Sequence, residues 1–467
     1  MINSGSFRFT VSILSIAGLA VIAGCSKEKV SGSSQLTAAA GNDLNVLVGS
    51  KADLNGNGSS DLSGNTFEFS WKFITKPSSS NAILENSSSA TPSFIPDIQG
   101  KYKLELTVSN TMEDRDTVTV SAFEVTQVQG NYENLIPGSN VGVRKFALAC
   151  GYLIATCEFT EIGGVEAHKI ARYNGSAWSA MGCGLDDGSI YGMIEYNGYL
   201  YVTGQFSEIG CIGANNIARW NCDQNLWEEV AGGLTGGDNP FGYSLEIYNN
   251  ELYVGGQFNK AGDVSATNIA KWDGSAWYAV GDFEGGSVRS LKVYGQKLFA
   301  GGFFTGVNGI PTGQIAAYDG NNWSMLGSYD NLEHKATGAV RHMAVYKNLL
   351  YISGDFSDNN SDYSELVTWD GQQFNDFGSA FSLYENTISE LSVINGILYI
   401  GGTFTNVVGS QANNIIQWNG TTWGIMSQGV NGTVLSVILF DNKIYIGGDY
   451  DSAGGNQAEN ISIWTAG

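Results

Sequence analysis

The stretch Glu251–Gly281, ELYVGGQFNKAGDVSATNIAKWDGSAWYAVG, has edited copies on both sides of it in the chain. YLYVTGQFSEIGCIGANNIARWNCDQNLWEEVAGG precedes it, and ILYIGGTFTNVVGSQANNIIQWNGTTWGIMSQG follows it. The aromatic residue after the glycine pair marks seven copies with a period of about 48 residues. This residue is Phe159, Phe206, Phe258, Phe304, Phe356, Phe404 or Tyr450.

Each copy contains four short runs in which apolar and polar residues alternate, the pattern of half-buried β-strands. SLKVYGQKLFAGG holds two runs and IAKWDGSAWYAV holds two more, with Asp-Gly or Asn-Gly at the junctions, the strongest short-range signal of a hairpin. Four strands per copy at this period predict a β-propeller blade, and the two-residue alternation excludes a helical solenoid. The sequence therefore predicts a seven-bladed propeller over residues 128–467.

The last copy ends at Ile461–Gly467, ISIWTAG, after its third strand. A segment that precedes the first copy, NYENLIPG from Asn131, has Tyr132 at the position where other copies have a Trp. An open ring would leave two exposed strand edges. We therefore expect Tyr132–Pro137 to pair with Glu459–Trp464 and close the ring as the outer strand of the last blade.

The glycine pair, the aromatic on the third strand and the Trp on the fourth resemble kelch and galactose-oxidase-like propellers. The pattern LYVGGxFxxAGxxxxxNIAxWDGxxW is more similar to the repeats of the fungal cortical cell-polarity marker family and its bacterial relatives, over about Asn131 to Gly467. Galactose oxidase needs a copper site built from His, Tyr and a Cys-modified Tyr. No such set can be assembled from this sequence.

Residues 36–127 alternate in the same way and predict a second all-β domain, an Ig-like sandwich. TFEFSWKF, with Trp71, and PSFIPDIQGKYKLELTVSN resemble polycystic-kidney-disease (PKD) domains along their whole length. That resemblance implies a spacer or surface-interaction module and brings no catalytic residue.

A Gly-rich loop in this domain has alternating oxygen donors at Asp53, Asn55, Asn57 and Asp61. This spacing is typical of a calcium loop, but Gly64 stands where an EF-hand has its bidentate acid. A plain turn and a Ca²⁺ site both remain open, and no other cofactor is expected.

The N-terminus, residues 1–25, predicts a lipoprotein signal peptide. Thr10–Gly24 is apolar but too short for a comfortable membrane span, and Ile22–Cys25 (IAGC) resembles a bacterial lipobox. We expect Cys25 to be lipidated and residues 26–35 to form a flexible tether. This predicts a Bacteroidota-like outer-membrane lipoprotein on the cell surface or periplasmic face; the alternative is an ordinary secretory signal.

The formal net charge is −22, from 45 acidic and 23 basic residues, which argues against nucleic acid as a partner. The three histidines have no metal-ligand spacing, and no G-x-S-x-G motif is present. An enzyme is therefore disfavoured without being excluded.

Residues shared by the copies point to packing more than to binding. The repeated Trp residues could stack on sugars, but we expect inter-blade packing, and the repeated Asn residues should bond to loop backbone. The Trp residues are Trp178, Trp227, Trp277, Trp323 and Trp423, with Phe374 in the fifth blade. The Asn residues are Asn216, Asn268, Asn414 and Asn460.

Positions at which the copies differ are the candidates for function. The start of the first strand gives Arg144, Tyr191, Tyr243, Arg289, Arg341, Ser389 and Leu435, all expected around the axial opening. Neighbouring loops add Asp186, Asp187, Asp238, Phe241, Tyr329, Asp330, Glu333, His334 and Tyr384. Either each Arg pairs with a local acid, or the set forms a pocket for an anionic or sugar ligand.

Five cysteines follow Cys25, all in the first two copies. Cys183 and Cys211 are expected on the same face and predict a disulfide, whereas Cys150 and Cys222 belong to the opposite face. The whole sequence predicts a membrane-anchored, non-catalytic binding or adhesion protein for a glycan or a surface protein. The alternative is a propeller enzyme that acts on polysaccharide.

Overall fold

The computed structural model describes residues 36–326, 334–358, 363–377 and 387–467, all of which lie in strands, turns and loops. None of the described residues lies in a helix long and apolar enough to cross a bilayer. Cys25, the signal segment and the tether lie outside the described residues.

The N-terminal sandwich is built from short strands and three long ones. The strands are β1 Leu36–Thr37, β2 Leu44–Leu47, β3 Ala52–Asp53, β4 Ser60–Asp61, β5 Glu68–Thr75, β6 Ser93–Phe94, β7 Gly100–Ser109 and β8 Glu113–Val128. β5, β7 and β8 form an antiparallel sheet, and β2 pairs in parallel with β8. β7 alternates between buried and more exposed residues, so that Trp71 of β5 packs with Leu104 and Leu106 in one core. The PKD-like corner is closed by Tyr102, whose hydroxyl donates to the Ile98 carbonyl (2.9 Å).

Seven four-stranded antiparallel sheets follow in the described residues, each with the order first, second, third and fourth strand. The first strands are Lys145–Ala149, Ser189–Tyr196, Phe241–Tyr248, Ser287–Tyr294, His334–Tyr346, Thr387–Ile394 and Thr433–Phe440. The second strands are Tyr152–Thr156, Tyr199–Gln205, Glu251–Gln257, Lys297–Phe303, Leu349–Asp358, Ile397–Thr403 and Lys443–Asp449. The third strands are Ile170–Tyr173, Ile217–Asn221, Ile269–Trp272, Ile315–Tyr318, Tyr363–Trp369, Ile415–Trp418 and Ile461–Ala466.

The fourth strands form the outer edge of each blade. In blades one to six they are Trp178–Ala180, Leu226–Glu229, Trp277–Ala279, Trp323–Met325, Phe374–Asp376 and Thr422–Met426. In blade seven the fourth strand is β9, Gly130–Asn134. Short two-residue strands line the loops at Glu161–Ile162, Val165–Glu166, Glu208–Ile209, Ile212–Gly213, Leu234–Thr235, Lys260–Ala261, Val264–Ser265, Phe283–Glu284, Gly306–Val307, Ile310–Pro311, Asn406–Val407, Ser410–Gln411, Ser452–Ala453 and Asn456–Gln457.

The repeated Trp side chains are buried between blades, as predicted. The indole nitrogens of Trp227, Trp277 and Trp323 donate to carbonyls of the preceding blade (2.9, 3.2 and 3.0 Å). Gly210 has φ +61° and lies against the Trp227 ring, so a Cβ there would collide with the indole. These Trp side chains pack between blades and are not available to stack on a ligand.

The repeated Asn residues join loops through both ends of their amides. Asn216 Oδ1 accepts from the Phe206 amide (3.0 Å), and its Nδ2 donates to the Leu234 carbonyl (2.8 Å). Asn460 makes the same contacts across the ends of the array, with Nδ2 donating to the Ser139 carbonyl at 2.8 Å. All four predicted Asn residues have φ between 63° and 67°, a conformation that Asn tolerates better than most residues.

The array closes on itself. Each first strand packs against the first strand of the next blade, and that of blade seven packs against that of blade one. β9 pairs antiparallel with Ser462–Ala466, with Tyr132 opposite Trp464. The expected range was slightly displaced: the ladder starts at Gly130 and ends at Asn134, and Leu135 adds one bond to the Ile461 carbonyl (3.3 Å).

The boundary expected at residues 127 and 128 is not a linker. β8 runs through it without a break, and its last five residues, Glu124–Val128, pair in parallel with Thr422–Met426, the fourth strand of blade six. Phe123 packs against Trp418 and Trp423 of that blade, with ring centroids 6.1 and 6.4 Å away. The sandwich is therefore joined to blade six by a shared sheet.

Candidate ligand-binding site at the mouth of the propeller

The candidate residues at the start of the first strands occupy β-bulges. In six blades the register between the first and second strands shifts by one residue at this position. The bulged residues are Tyr191, Tyr243, Arg289, Arg341, Ser389 and Leu435. The extra residue of a bulge directs its side chain out of the ladder. Residues at this one position of the repeat therefore lie together at one end of the ring.

Four of the candidates form a continuous row across blades one to four, here called the mouth row: Arg144, Tyr191, Tyr243 and Arg289. The Arg144 guanidinium carbon lies 5.6 Å from the Tyr191 ring centroid. The Tyr191 and Tyr243 centroids are 5.3 Å apart, and Arg289 lies 5.3 Å from Tyr243. Phe241 supports the row from one side, 4.7 Å from Tyr243.

The two ends of the mouth row are open to a ligand. Arg144 and Arg289 are exposed, and neither forms an ion pair with any residue that the structure describes. A guanidinium over a tyrosine face retains its in-plane donors, so both arginines can still receive a carboxylate or a similar anion.

Arg341 behaves differently from the other two arginines. Its guanidinium contacts Asp355 (2.5 Å) and Glu365 (3.2 Å), so the local-acid interpretation is right at this position. Burial, reinforced by the charge of Asp355 and opposed by that of Arg341, raises the pKa of Glu365 to about 7.

Two of the predicted loop acids, Asp187 and Asp238, are placed by the hydrogen bonds that they accept. The Asp187 carboxylate accepts from the Ser207 hydroxyl (2.8 Å) and amide, which braces its own loop. Asp238 is exposed, and its carbonyl accepts from Gln257 Nε2 (3.3 Å). Tyr329, Asp330, Glu333 and Tyr384, together with the His334 side chain, lie outside the described residues.

A cavity of about 1210 Å³ opens beside Arg144, between blades seven and one. Amide side chains of Asn140, Asn431 and Gln457 line it, together with acids. The acids are Glu158, Asp449, Asp451 and Glu459. Although burial alone would raise the pKa of Glu158, hydrogen bonds from Ser189 and Lys169 and the charges of Lys169 and Arg144 lower it. The charged groups of the cavity are thus mostly acidic, and the cavity adjoins the basic end of the mouth row.

An ionic group on the axis was not anticipated from the sequence. One residue after the bulge position, Lys145 of blade one contacts the buried Glu390 of blade six across the ring (3.5 Å). His342 occupies the same position in blade five, where desolvation and the charges of Lys145 and Arg341 lower its pKa to about 3. The other blades place small residues there: Gly192, Ser244, Ser290 and Ser436. That contrast was the signal available in the sequence.

The possible calcium loop uses its oxygens for other contacts. The Asp53 carboxylate pairs with Lys51, and Asn55 Oδ1 accepts from the Asn57 amide (3.1 Å). Asp61 accepts from the Ser63 amide (2.7 Å) and from Asn110 Nδ2 (2.8 Å). Within the described ranges, no three His, Cys, Asp or Glu residues are grouped so that they could hold a metal ion. The contacts of Asn55 and Asp61 with the amide two residues further on are those of Asx turns.

Two disulfides brace the first two blades. The predicted bond between Cys183 and Cys211 is present, with Cα atoms 5.7 Å apart. A second bond joins Cys150 and Cys222 (Cα–Cα 5.3 Å), the two cysteines expected on the opposite face, for which no bond was predicted. Cys157 is a free thiol.

Comparisons with known proteins agree with both resemblances. Residues 40–122 match a PKD-domain family, and residues 244–397 match the family described as "Rax2 C-terminal beta propeller domain". No curated protein is a detectable sequence relative of the chain.

Several solved structures are similar to parts or most of the chain. A nucleoside hydrolase-related hypothetical protein from Saccharophagus degradans, associated with carbohydrate metabolism, is 27% identical over 17% of this chain and 21% of that one (TM-score 0.16). The PKD domain from KIAA 1837 protein is 28% identical over 20% and 89% (TM-score 0.17). A quinonprotein alcohol dehydrogenase-like protein from Bacteroides thetaiotaomicron is 12% identical over 91% and 95% (TM-score 0.34).

The chain thus spans about a fifth of the length of the first of these structures and most of the other two. The two family matches are therefore local: residues 40–122 are similar to PKD domains, and residues 244–397, within the propeller, are similar to the Rax2 C-terminal beta propeller domain.

Proposed function

We propose that this protein is an exported, membrane-anchored binding module whose propeller mouth holds a glycan or surface-protein ligand. The observation that carries the proposal is the mouth row, in which two exposed arginines flank two tyrosines in a chain of net charge −22. Exposed cations and aromatic rings that converge at one opening are typical of recognition sites.

The fold supports binding in a second way. The sandwich shares a sheet with blade six, so the mouth has a fixed direction relative to the N-terminal domain. A rigid spacer below a rigid disc suits presentation of a ligand site away from a surface. The proposed anchor is the lipid on Cys25, which would attach the protein to the outer membrane.

One observation favours the second candidate, an enzyme that acts on polysaccharide. Asp355 and Glu365 approach the same guanidinium, and the pKa of Glu365 is raised to about 7. Two carboxyl groups, one protonated near neutrality, are the general acid–base pair of most glycosidases. Arg341 neutralises this pair and occupies the space between the carboxylates, which favours a structural role.

Full-length protein in detergent, tested on a glycan array and on a panel of glycoside substrates, separates the two candidates. We expect binding without turnover, and we expect binding to weaken in Arg144→Gln and Arg289→Gln. Arg115→Gln, an exposed arginine of the sandwich that pairs with Glu113 (2.6 Å), is the matched control and should bind normally. Turnover that is lost in Glu365→Gln would replace the binding module with the enzyme.

The membrane anchor is tested separately by metabolic labelling with palmitate. Cys25→Ala should give unlabelled protein that is soluble or retains its signal segment. Undiminished labelling of this variant would remove the lipoprotein part of the proposal while leaving the mouth row untouched.

A further inference from the structure

We infer that the ligand of the mouth row is an acidic polysaccharide, with its charged sugars along the row and an uncharged, hydroxyl-rich part in the adjoining cavity. This inference rests on the proposed binding function and names its ligand class.

Charge is the first argument for an acidic ligand. The protein carries 45 acidic residues against 23 basic ones, yet the mouth row leaves two guanidiniums without an ion pair among the described residues. Arg341, one blade further along, is neutralised by two acids. Unpaired guanidiniums present parallel N–H donors that match carboxylate or sulfate oxygens and are weakly hydrated, so they exchange water for an anion at low cost.

The spacing of the row is the second argument. Successive groups in it are 5.6, 5.3 and 5.3 Å apart, which is close to the length of one sugar residue in an extended chain. Both tyrosines are half-buried, so their rings are held in place and can offer their exposed edges and hydroxyls to sugar hydroxyls. An acidic peptide is less suited, because an extended peptide presents side chains on one face at intervals of about 6.7 Å, longer than the spacing of the row.

The cavity beside Arg144 gives the ligand a direction. Its lining contains Glu158, Asp449, Asp451 and Glu459, which repel an anion. Gln457 can offer its side-chain amide to neutral hydroxyls in the same space. Asn140 and Asn431, whose amides already bond to neighbouring loop residues, each keep one Nδ2–H for the same purpose. We therefore expect an acidic chain to lie with its charged groups along blades one to four. Its uncharged sugar or terminus would lie in the cavity between blades seven and one.

The test measures binding of four probes to the full-length protein by calorimetry: oligogalacturonate, a neutral galactan of equal length, a sulfated chondroitin oligomer and poly-glutamate. We expect the carboxylated or the sulfated glycan to bind, and the comparison of these two decides which anion is read. Affinity should fall about tenfold for each of Arg144→Gln and Arg289→Gln, since each removes one charged contact. It should also weaken as salt rises, because exposed charges are screened.

Tyr191→Ala should weaken binding more than Tyr191→Phe, and Arg115→Gln should have no effect. Neutral galactan bound as tightly as oligogalacturonate, and unaffected by the arginine variants, would overturn the acidic ligand while leaving a binding module. Poly-glutamate bound with equal affinity would overturn the polysaccharide. Failure of every probe, together with an empty glycan array, would remove both this inference and the glycan form of the proposed function.

Discussion

Blades two to five and blades six and seven are joined to their neighbours by different means. In blades two to five, a tyrosine at the end of the first strand donates its hydroxyl to a turn carbonyl of the next blade. These tyrosines are Tyr196, Tyr248, Tyr294 and Tyr346, with O–O distances of 2.8 to 3.1 Å. Blades six and seven have Ile394 and Phe440 at this position, which cannot donate.

Three junctions lack such a tyrosine, and the N-terminal segment covers two of them. Glu124–Val128 of β8 extends the outer edge of blade six, and β9 supplies the outer strand of blade seven. The remaining junction, from blade one to blade two, is crossed by the Cys150–Cys222 disulfide. Side-chain contacts between neighbouring repeats therefore hold most of the ring, whereas blades six and seven depend on backbone pairing with residues about 300 positions away.

Removal of Asn131–Asn134 should have the largest effect on this arrangement. It takes away the fourth strand of blade seven and exposes the third strand, so we expect Tm to fall by on the order of 10 °C and aggregation to increase. Calorimetry measures the change. A matched control is Tyr278→Ala, a half-exposed tyrosine on the open outer strand of blade three, which should leave Tm within a few degrees.

Phe123→Ala should separate the two domains. The ring packs on Trp418 and Trp423, so its loss weakens the shared sheet, with an expected cost of about 2 kcal/mol for a partly buried aromatic. We expect one calorimetric transition in the parent and two in the variant. Phe67 packs within the sandwich alone, so Phe67→Ala should lower the temperature of the single transition without splitting it.

The outer edges of blades six and seven differ in how far the sequence predicts them. The pairing of β9 with blade seven was predictable because Tyr132 stands at a repeated Trp position and because the ring must close. The pairing of β8 with blade six was not predictable. The alternation over Glu113–Val128 indicates a half-buried strand, but it does not indicate which sheet that strand joins. The mouth row was predictable from one alignment column, but Lys145–Glu390 was not, since its contact depends on the radius of the ring.

Low pH should lower the stability of blades two to five through His342. Its pKa is held at about 3 in the fold against a usual value of 6.5, so the stability linked to its neutral form is present above pH 6.5 and lost as pH falls towards 3. The charges that act on it are those of Lys145 and Arg341, and Lys145 is itself paired with the buried Glu390. Melting from pH 8 to pH 4 should drop by roughly 5 °C more in the parent than in His342→Gln. Parallel curves would contradict this assignment.

Glu365 should act in the opposite direction. Its pKa is raised to about 7 in the fold, so the stability linked to its protonated form is present below pH 4.5 and lost as pH rises towards 7. Glu365→Gln should therefore be more stable relative to the parent at pH 8 than at pH 4. The same melting series measures it, and a difference that does not change with pH would contradict the raised pKa.

Two Tyr→Phe variants should give the smallest effects, with opposite signs. Tyr248→Phe loses the bond to the Gln296 carbonyl (3.0 Å) and should cost about 1 kcal/mol. The Tyr132 hydroxyl is buried without a hydrogen-bond partner among the described residues, so Tyr132→Phe should be neutral or stabilising by about 1 kcal/mol. An equal loss of stability in both variants would show that blade seven also depends on a hydroxyl contact.

The shared use of residues 124–134 sets the order in which the molecule can be completed. This segment leaves the ribosome early, but its partners are Thr422–Met426 and Ser462–Ala466, which are made last. Domains usually fold as units from the N-terminus during synthesis, and pairings of such long range are slow to form. The first residues of the propeller therefore cannot pair until the final ones have been synthesised. In a chain that stops before Ile461, β9 has no strand to pair with.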